Sequence, residues 1–444
     1  MVISVKNFFK NFLGEQIFNE VSSYKIGFIF FNLGLFFLLS APILGVISIL
    51  ISIIFSLIQT KRFFNINKTN KLFLIVSIIL LINTFISIFY KINQFEEWHF
   101  TSNIIGLFNW IPFFICFFLV QPYLKNTKYR HLSTNLILIG TLPLLITGLG
   151  EYYLGWADQL SAFNGNIIWF LKPKNEIKGL SGLFSNPNYA ASWLTMIWPL
   201  AIGTIFRNKK NKFKLLFSVF YSLIILFSTL LTNSKDTLAS LFIPIIFLIN
   251  NSFLRFMIFA IIISLIVYLY EKYYIKLDLN SIISSIWNNS LDIELKKILD
   301  IFPRIDIWRV SLIAIFNKPL LGWGATSFPL IYSLHKNRFT NDYITHAHNL
   351  FFETSINYGL IFSILLFIII SQVLINSGRF IFSETKNIID KCWWISSFLF
   401  VFNHMFDVTY YDVRINLLFW ITLAGLNNII NENQITNDIK SKDF

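Results

Sequence analysis

The chain has 444 residues, of which 55% are hydrophobic and only 13% charged, with a mean hydropathy of +0.63. Soluble domains carry about 25% charged residues, so this composition excludes a soluble globular or disordered protein and points to an all-α membrane protein. The net charge of +13 would suggest nucleic acid in a soluble chain, but here the cations sit in short loops between apolar runs, so a bilayer and not a nucleic acid is the expected partner.

Residues 1–24 are mixed-charge and amphipathic, without the apolar core of a cleavable signal. The apolar run from Ile26 to Ile58 is too long for one helix, and Pro42, with Ser40 and Gly45 beside it, predicts a helical hairpin. Further spans are expected over Leu72–Tyr90, Ile104–Val120, Leu136–Leu149, Tyr189–Phe206, Leu215–Leu231, Thr237–Ile249, Phe256–Tyr270, Leu350–Ile375, Trp393–Phe406 and Ile415–Ile429. The total is about twelve transmembrane helices, each near the length that crosses the hydrocarbon. Cys116 and Cys392 both lie within such runs and form neither a disulfide framework nor a metal-ligand spacing.

With the N-terminus placed in the cytoplasm, the alternating short loops hold sixteen basic residues inside and three (Lys91, Lys235, Arg414) outside. This is the asymmetry the positive-inside rule demands, and it predicts that both termini are cytoplasmic. Residues 1–430 then form one polytopic domain. Two long segments fall outside: 150–188, and the large loop 271–349 before the tenth span. Loops of that length are uncommon unless functional. Apolar and charged residues interleave over 284–301, so amphipathic helices along the outer surface are expected there. The polar cytoplasmic tail, 431–444, is expected to be disordered.

Candidate chemistry gathers at the outer ends of these spans. Asn186-Pro187-Asn188 opens one of them; the asparagines suit a helix cap, and a helix start also attracts anions such as a diphosphate. Lys235 stands on a short outer loop, placed to meet phosphate or to pair with Asp236. Over Arg304–Phe316, the residues Ile305, Trp308, Leu312 and Ile315 share one helical stripe. Arg304 and Arg309 differ by about 140° around that helix, so they do not point into one pocket. Arg304 lies beside the stripe, where its planar guanidinium suits phosphate, and headgroup snorkelling is the other reading. Snorkelling is preferred for Arg309. In His346-Ala347-His348-Asn349, His348 suits proton acceptance at a span mouth, Asn349 suits orientation of the ring or the substrate, and His346 shares that side only in an extended segment. Glu353, Asp407 and Asp412 are open candidates for supporting His348 or an acceptor. Glu151, Asp158 and Glu176 are read as a solvated surface. No metal-ligand cluster stands out.

These residues resemble the O-antigen ligase and polymerase superfamily of polytopic membrane glycosyltransferases. The resemblance rests on His348-Asn349, nine residues, then Gly359; on Gly182-Leu183-Phe184-Ser185-Asn186-Pro187-Asn188-Tyr189; on Arg304 and Trp308 followed by Pro319-Leu320-Leu321-Gly322-Trp323-Gly324; and on Ser234-Lys235. Phe362 departs from the ligase pattern, and Lys235 stands where arginine is commoner. The resemblance implies a glycan donor on undecaprenyl diphosphate and a lipid A-core or glycan acceptor. It implies His348 as general base, an inverting displacement, and Arg304 with Lys235 on the leaving diphosphate, without metal or other cofactor, at the periplasmic face of a bacterial inner membrane. Ligase action is the first reading and polysaccharide polymerisation the second. Transport of a small anion such as bicarbonate belongs to another class, and few ionisable residues lie mid-span to support it.

Overall fold

A computed structural model describes residues 22–63, 68–89, 100–162, 167–171, 179–248, 304–336, 344–383 and 387–442. The expected span at 256–270 and the amphipathic helices at 284–301 lie outside these residues. The helices are α1 (Ser22–Ser40), α2 (Pro42–Phe63), α3 (Lys68–Phe89), α4 (Phe100–Phe108), α5 (Ile111–Leu119), α6 (Thr127–Leu149), α7 (Pro187–Arg207), α8 (Lys212–Leu231), α9 (Lys235–Ser240), α10 (Phe242–Leu248), α11 (Arg304–Asn317), α12 (Phe328–His335), α13 (Leu350–Ser383), α14 (Ile388–Asn403) and α15 (Val413–Lys442). One short antiparallel hairpin, Asp158–Ala162 with Ile167–Leu171, is the exception to a helical architecture among the described residues.

Eight of the described helical stretches are long and apolar enough to cross a membrane. The shortfall from about twelve has local causes. α2 offers a shorter apolar stretch, Pro42–Ile58; the run at 237–249 is the two short helices α9 and α10; α14 has 16 residues; and 256–270 is not described. Two further expectations are corrected. The tail is not irregular: α15 continues through Lys442, because neither glycine nor proline interrupts the sequence after Gly425. In α11 the buried stripe is Ile307, Val310, Ala314 and Ile315, while Leu312 is exposed.

Asparagine does much of the punctuation. Asn126, Asn186, Asn211 and Asn387 precede α6, α7, α8 and α14, and each side chain accepts a backbone N–H of the first turn. The core is aromatic: Phe400 stacks on Phe419 with centroids 3.9 Å apart, and Trp420 packs edge-on against Phe73 and Phe114.

The helix ends sort into two groups, as alternation along the chain requires. At one end Arg130 on α6 is fully buried and reaches Asp390 on α14 at 2.8 Å and Glu432 on α15 at 2.8 Å. Arg207 at the end of α7 donates to Asn135 on α6 at 2.9 Å. At the other end lie the end of α6 and the starts of α7, α13 and α15. There Glu151, expected in solvent, is buried, and it accepts Ser181 Oγ at 2.7 Å and Ser181 N at 3.0 Å. Arg414 donates to Leu183 O at 2.8 Å. The candidate residues sit at this second end.

Candidate functional site

Helix α13 begins at Leu350, and its entry is held from several directions. Asn349 accepts Phe352 N at 3.1 Å as a helix cap, and its Nδ2 donates to Met405 O at 3.0 Å. Leu350 N donates to His404 O at 2.7 Å. Glu353, one turn into α13, is fully buried. Its Oε2 accepts Ala347 N at 2.8 Å, and its Oε1 accepts Tyr411 OH at 2.6 Å and Asn357 Nδ2 at 3.0 Å. The segment 346–349 is thereby tied to α13 and to the turn 404–412. Within it His348 has φ +48°, in the left-handed region that few non-glycine residues occupy.

The glycines explain the next part of the pattern. Gly359 has φ +84° and kinks α13, and a Cβ there would stand 2.0 Å from Leu320 O. Gly322, φ +71°, faces it: a Cβ on Gly322 would stand 2.7 Å from Gly359 N. This close approach lets Trp323 N donate to Ile356 O at 2.6 Å and Gly324 N to Asn357 O at 3.1 Å. The Pro319–Gly324 turn and the helix bearing the histidine segment are one backbone-bonded unit.

The imidazole of His348 meets Asp407, with Nδ1 to Oδ1 at 3.0 Å. The same Asp407 oxygen accepts Val408 N at 2.8 Å, and Oδ2 accepts Asn188 Nδ2 at 2.9 Å from the start of α7. Burial by itself would raise the Asp407 carboxyl. The His348 hydrogen bond, the two histidine charges and the Val408 amide outweigh it and hold Asp407 below the usual carboxylate range. An ionised carboxylate only accepts, so Nδ1 of His348 carries the hydrogen and Nε2 is the bare nitrogen of the neutral ring. His348 is 22% exposed, His346 15% and Asp407 12%. The two imidazole rings lie 4.2 Å apart, and His346 Nε2 is 3.8 Å from Asp407 Oδ1. Burial pushes His346 down to about 4; the His348 and Arg304 charges add to the fall and Asp407 opposes it. The half-buried Arg304 is thus close enough for its charge to be felt at the histidine pair.

The other candidates make no hydrogen bond to His348 or Asp407. Arg309 bonds Asp306 at 2.9 Å and His335 O at 2.8 Å. Asn186 is exposed and caps α7 by accepting Asn188 N at 2.8 Å. Lys235 begins α9 with its side chain exposed. Asn349 spends its amide on the helix cap and on Met405. What the sequence left undecided was the turn 404–412: Asp407 and Tyr411 complete the site, and their signal was a polar stretch, Asp407 to Asp412, between two apolar spans.

His346, His348 and Asp407 also bring three donor atoms within 4.8 Å of one another, the one such group among the described residues. Ligands about 2.0–2.2 Å from a tetrahedral ion stand about 3.4 Å apart. The 3.0 Å Nδ1–Oδ1 separation is instead that of a direct hydrogen bond.

Residues 220–368, from within α8 into α13, match the family model described as O-antigen ligase. This stretch, about a third of the chain, is similar to that family. The matched stretch contains Arg304, both histidines and the Gly322–Gly359 approach, whereas Asn188 and Asp407 come from outside it. The chain is also 30% identical over 86 residues to the ComP-specific O-oligosaccharyltransferase of Acinetobacter baylyi (strain ATCC 33305 / BD413 / ADP1). The similarity covers 19% of this chain and 15% of that relative. The family match and this partial similarity, together with eight helical stretches long and apolar enough to cross a membrane, fit a polytopic membrane protein.

Proposed function

We propose that this protein moves a glycan from undecaprenyl diphosphate to a sugar hydroxyl on the periplasmic side of a bacterial inner membrane, with lipid A-core as the acceptor. The observation that carries the reading is the His348–Asp407 pair at 3.0 Å, partly exposed beside a cation. The acceptor hydroxyl gives its proton to Nε2 of His348, and Asp407 stabilises the imidazolium that forms. The acceptor oxygen attacks the anomeric carbon as the bond from that carbon to the diphosphate oxygen breaks, so the configuration inverts. The bonding electrons leave with the diphosphate, and Arg304 meets the charge with a bidentate fork. Lys235 and Asn188 are further contacts for the donor, and no step calls for a metal.

A second reading differs only in the acceptor. The oligosaccharyltransferase relative favours a hydroxyl on a protein; polymerisation onto another glycan uses the same chemistry. Reconstitution with undecaprenyl-diphosphate glycan and core lipid, glycan or protein acceptors separates these readings. Transfer should proceed in the presence of EDTA and disappear in His348→Ala while the protein still inserts. Unimpaired transfer by that variant removes the general-base role.

A further inference from the structure

A second polar–apolar arrangement lies at the opposite end of the bundle from the histidines. Helices α6, α7 and α8 enclose a cleft of about 230 Å³, with Asn135, Arg207 and Asn208 at its polar end and Ile139, Leu142 and Phe217 along its apolar length. Phe217 is 61% exposed and Ile139 48%, so the apolar part opens sideways, toward acyl chains in a bilayer. The Arg207 guanidinium bonds the neutral Asn135 Oδ1 at 2.9 Å, and no carboxylate pairs with it among the described residues. The stretch 207–214 adds Lys209, Lys210, Lys212 and Lys214 and contains no acidic residue.

We propose that this cleft binds an anionic phospholipid, with the phosphate on Arg207 and one acyl chain along Ile139, Leu142 and Phe217. Charge complementarity selects an anionic headgroup, as in basic pockets between membrane helices. Distance selects a phospholipid over the polyprenyl substrate. The run from Asn188, bonded to Asp407, to Arg207 covers about 28 Å at 1.5 Å per residue, close to the hydrocarbon thickness of about 30 Å. The cleft therefore faces the leaflet opposite the histidine cluster, and a donor whose diphosphate is poised at the histidines does not place that phosphate on Arg207. A bound lipid ties α7, which carries Asn188, to α6 and α8.

The test uses full-length protein in phosphatidylcholine nanodiscs containing a minor fraction of phosphatidylglycerol with a photoreactive group on one acyl chain. Cross-links are expected on cleft residues of α6 and α8, displaced by unlabelled phosphatidylglycerol but not by phosphatidylcholine. Arg207→Gln should weaken labelling about fivefold, the effect of one cation near a headgroup. Phosphatidylglycerol should raise the melting temperature of the wild type more than that of Arg207→Gln. Equal labelling of the two proteins, or equal labelling by a phosphatidylcholine probe, overturns the proposal. Displacement by undecaprenyl phosphate alone also overturns it and gives the cleft to the carrier lipid. Should Arg207→Gln not fold, Ile139→Trp at an exposed position fills the apolar end, and retained labelling of that variant refutes the site.

Discussion

Replacing Asp407 by asparagine probes the proposed His348–Asp407 catalytic pair without changing its shape. In the wild type Oδ1 meets His348 Nδ1 and Val408 N, while Oδ2 accepts from Asn188 Nδ2. An asparagine has one oxygen for these three donors. If that oxygen stays on His348 and Val408, its NH2 group faces the NH2 of Asn188. If it turns to Asn188, its NH2 faces His348, and Nδ1 must accept. The ring then carries its hydrogen on Nε2 and cannot take the acceptor's proton there. In both arrangements the imidazolium loses a charge-assisted hydrogen bond of about 1.5–3 kcal/mol, which lowers the rate about 10- to 150-fold. Because Asp407 acts through His348, kcat should fall by on the order of 10² with KM little changed. Single-turnover transfer in proteoliposomes at saturating donor reads this directly. A rate within about threefold of wild type would refute the assignment of Asp407 as the positioning residue, as would a loss confined to KM.

Arg130→Met leaves Asp390 buried without its partner and should destabilise the protein by about 3–5 kcal/mol; an unchanged melting temperature in detergent would show that the Arg130–Asp390–Glu432 cluster contributes nothing. Gly359→Ala forces a Cβ against Leu320 O at 2.0 Å in a left-handed backbone, so the variant should lose transfer and melt earlier; normal behaviour in both would break the link between the Gly322 turn and the histidine helix. His346 titrates near 6.5 when unfolded and is held down to about 4 in the fold by burial. Between those values the unfolded chain binds more protons, so its contribution to stability is complete above pH about 6.5 and is lost as pH falls toward 4. Melting temperatures measured across that window should decline on acidification, with a shallower decline in His346→Asn; equal slopes would contradict a buried, neutral His346.

Hydrophobic runs and turn residues were enough to place most helices, because spanning length and backbone satisfaction are local demands. The break between α1 and α2 beside Pro42, the asparagine cap of α7 and the separation of Arg304 from Arg309 were all legible for that reason. Short-range pattern failed where neighbours decided. The α11 stripe rotated because Trp323 Nε1 donates to Ala314 O and packing covers Ile307 and Val310 in place of Leu312. Glu151 left the solvent because the Ser181 turn needed an acceptor.

His348 is conspicuous in the sequence, as a histidine at the mouth of a span followed at fixed spacing by a glycine. Its partners are not, since Asp407 lies 59 residues further along and Asn188 on a different helix. Only the packing of α7, α13 and α14 brings these groups to one point. A hydrogen bond acts over about 3 Å, a distance that chain order does not encode, so composition and periodicity determined the membrane bundle while tertiary contacts chose which of several carboxylates serves the histidine.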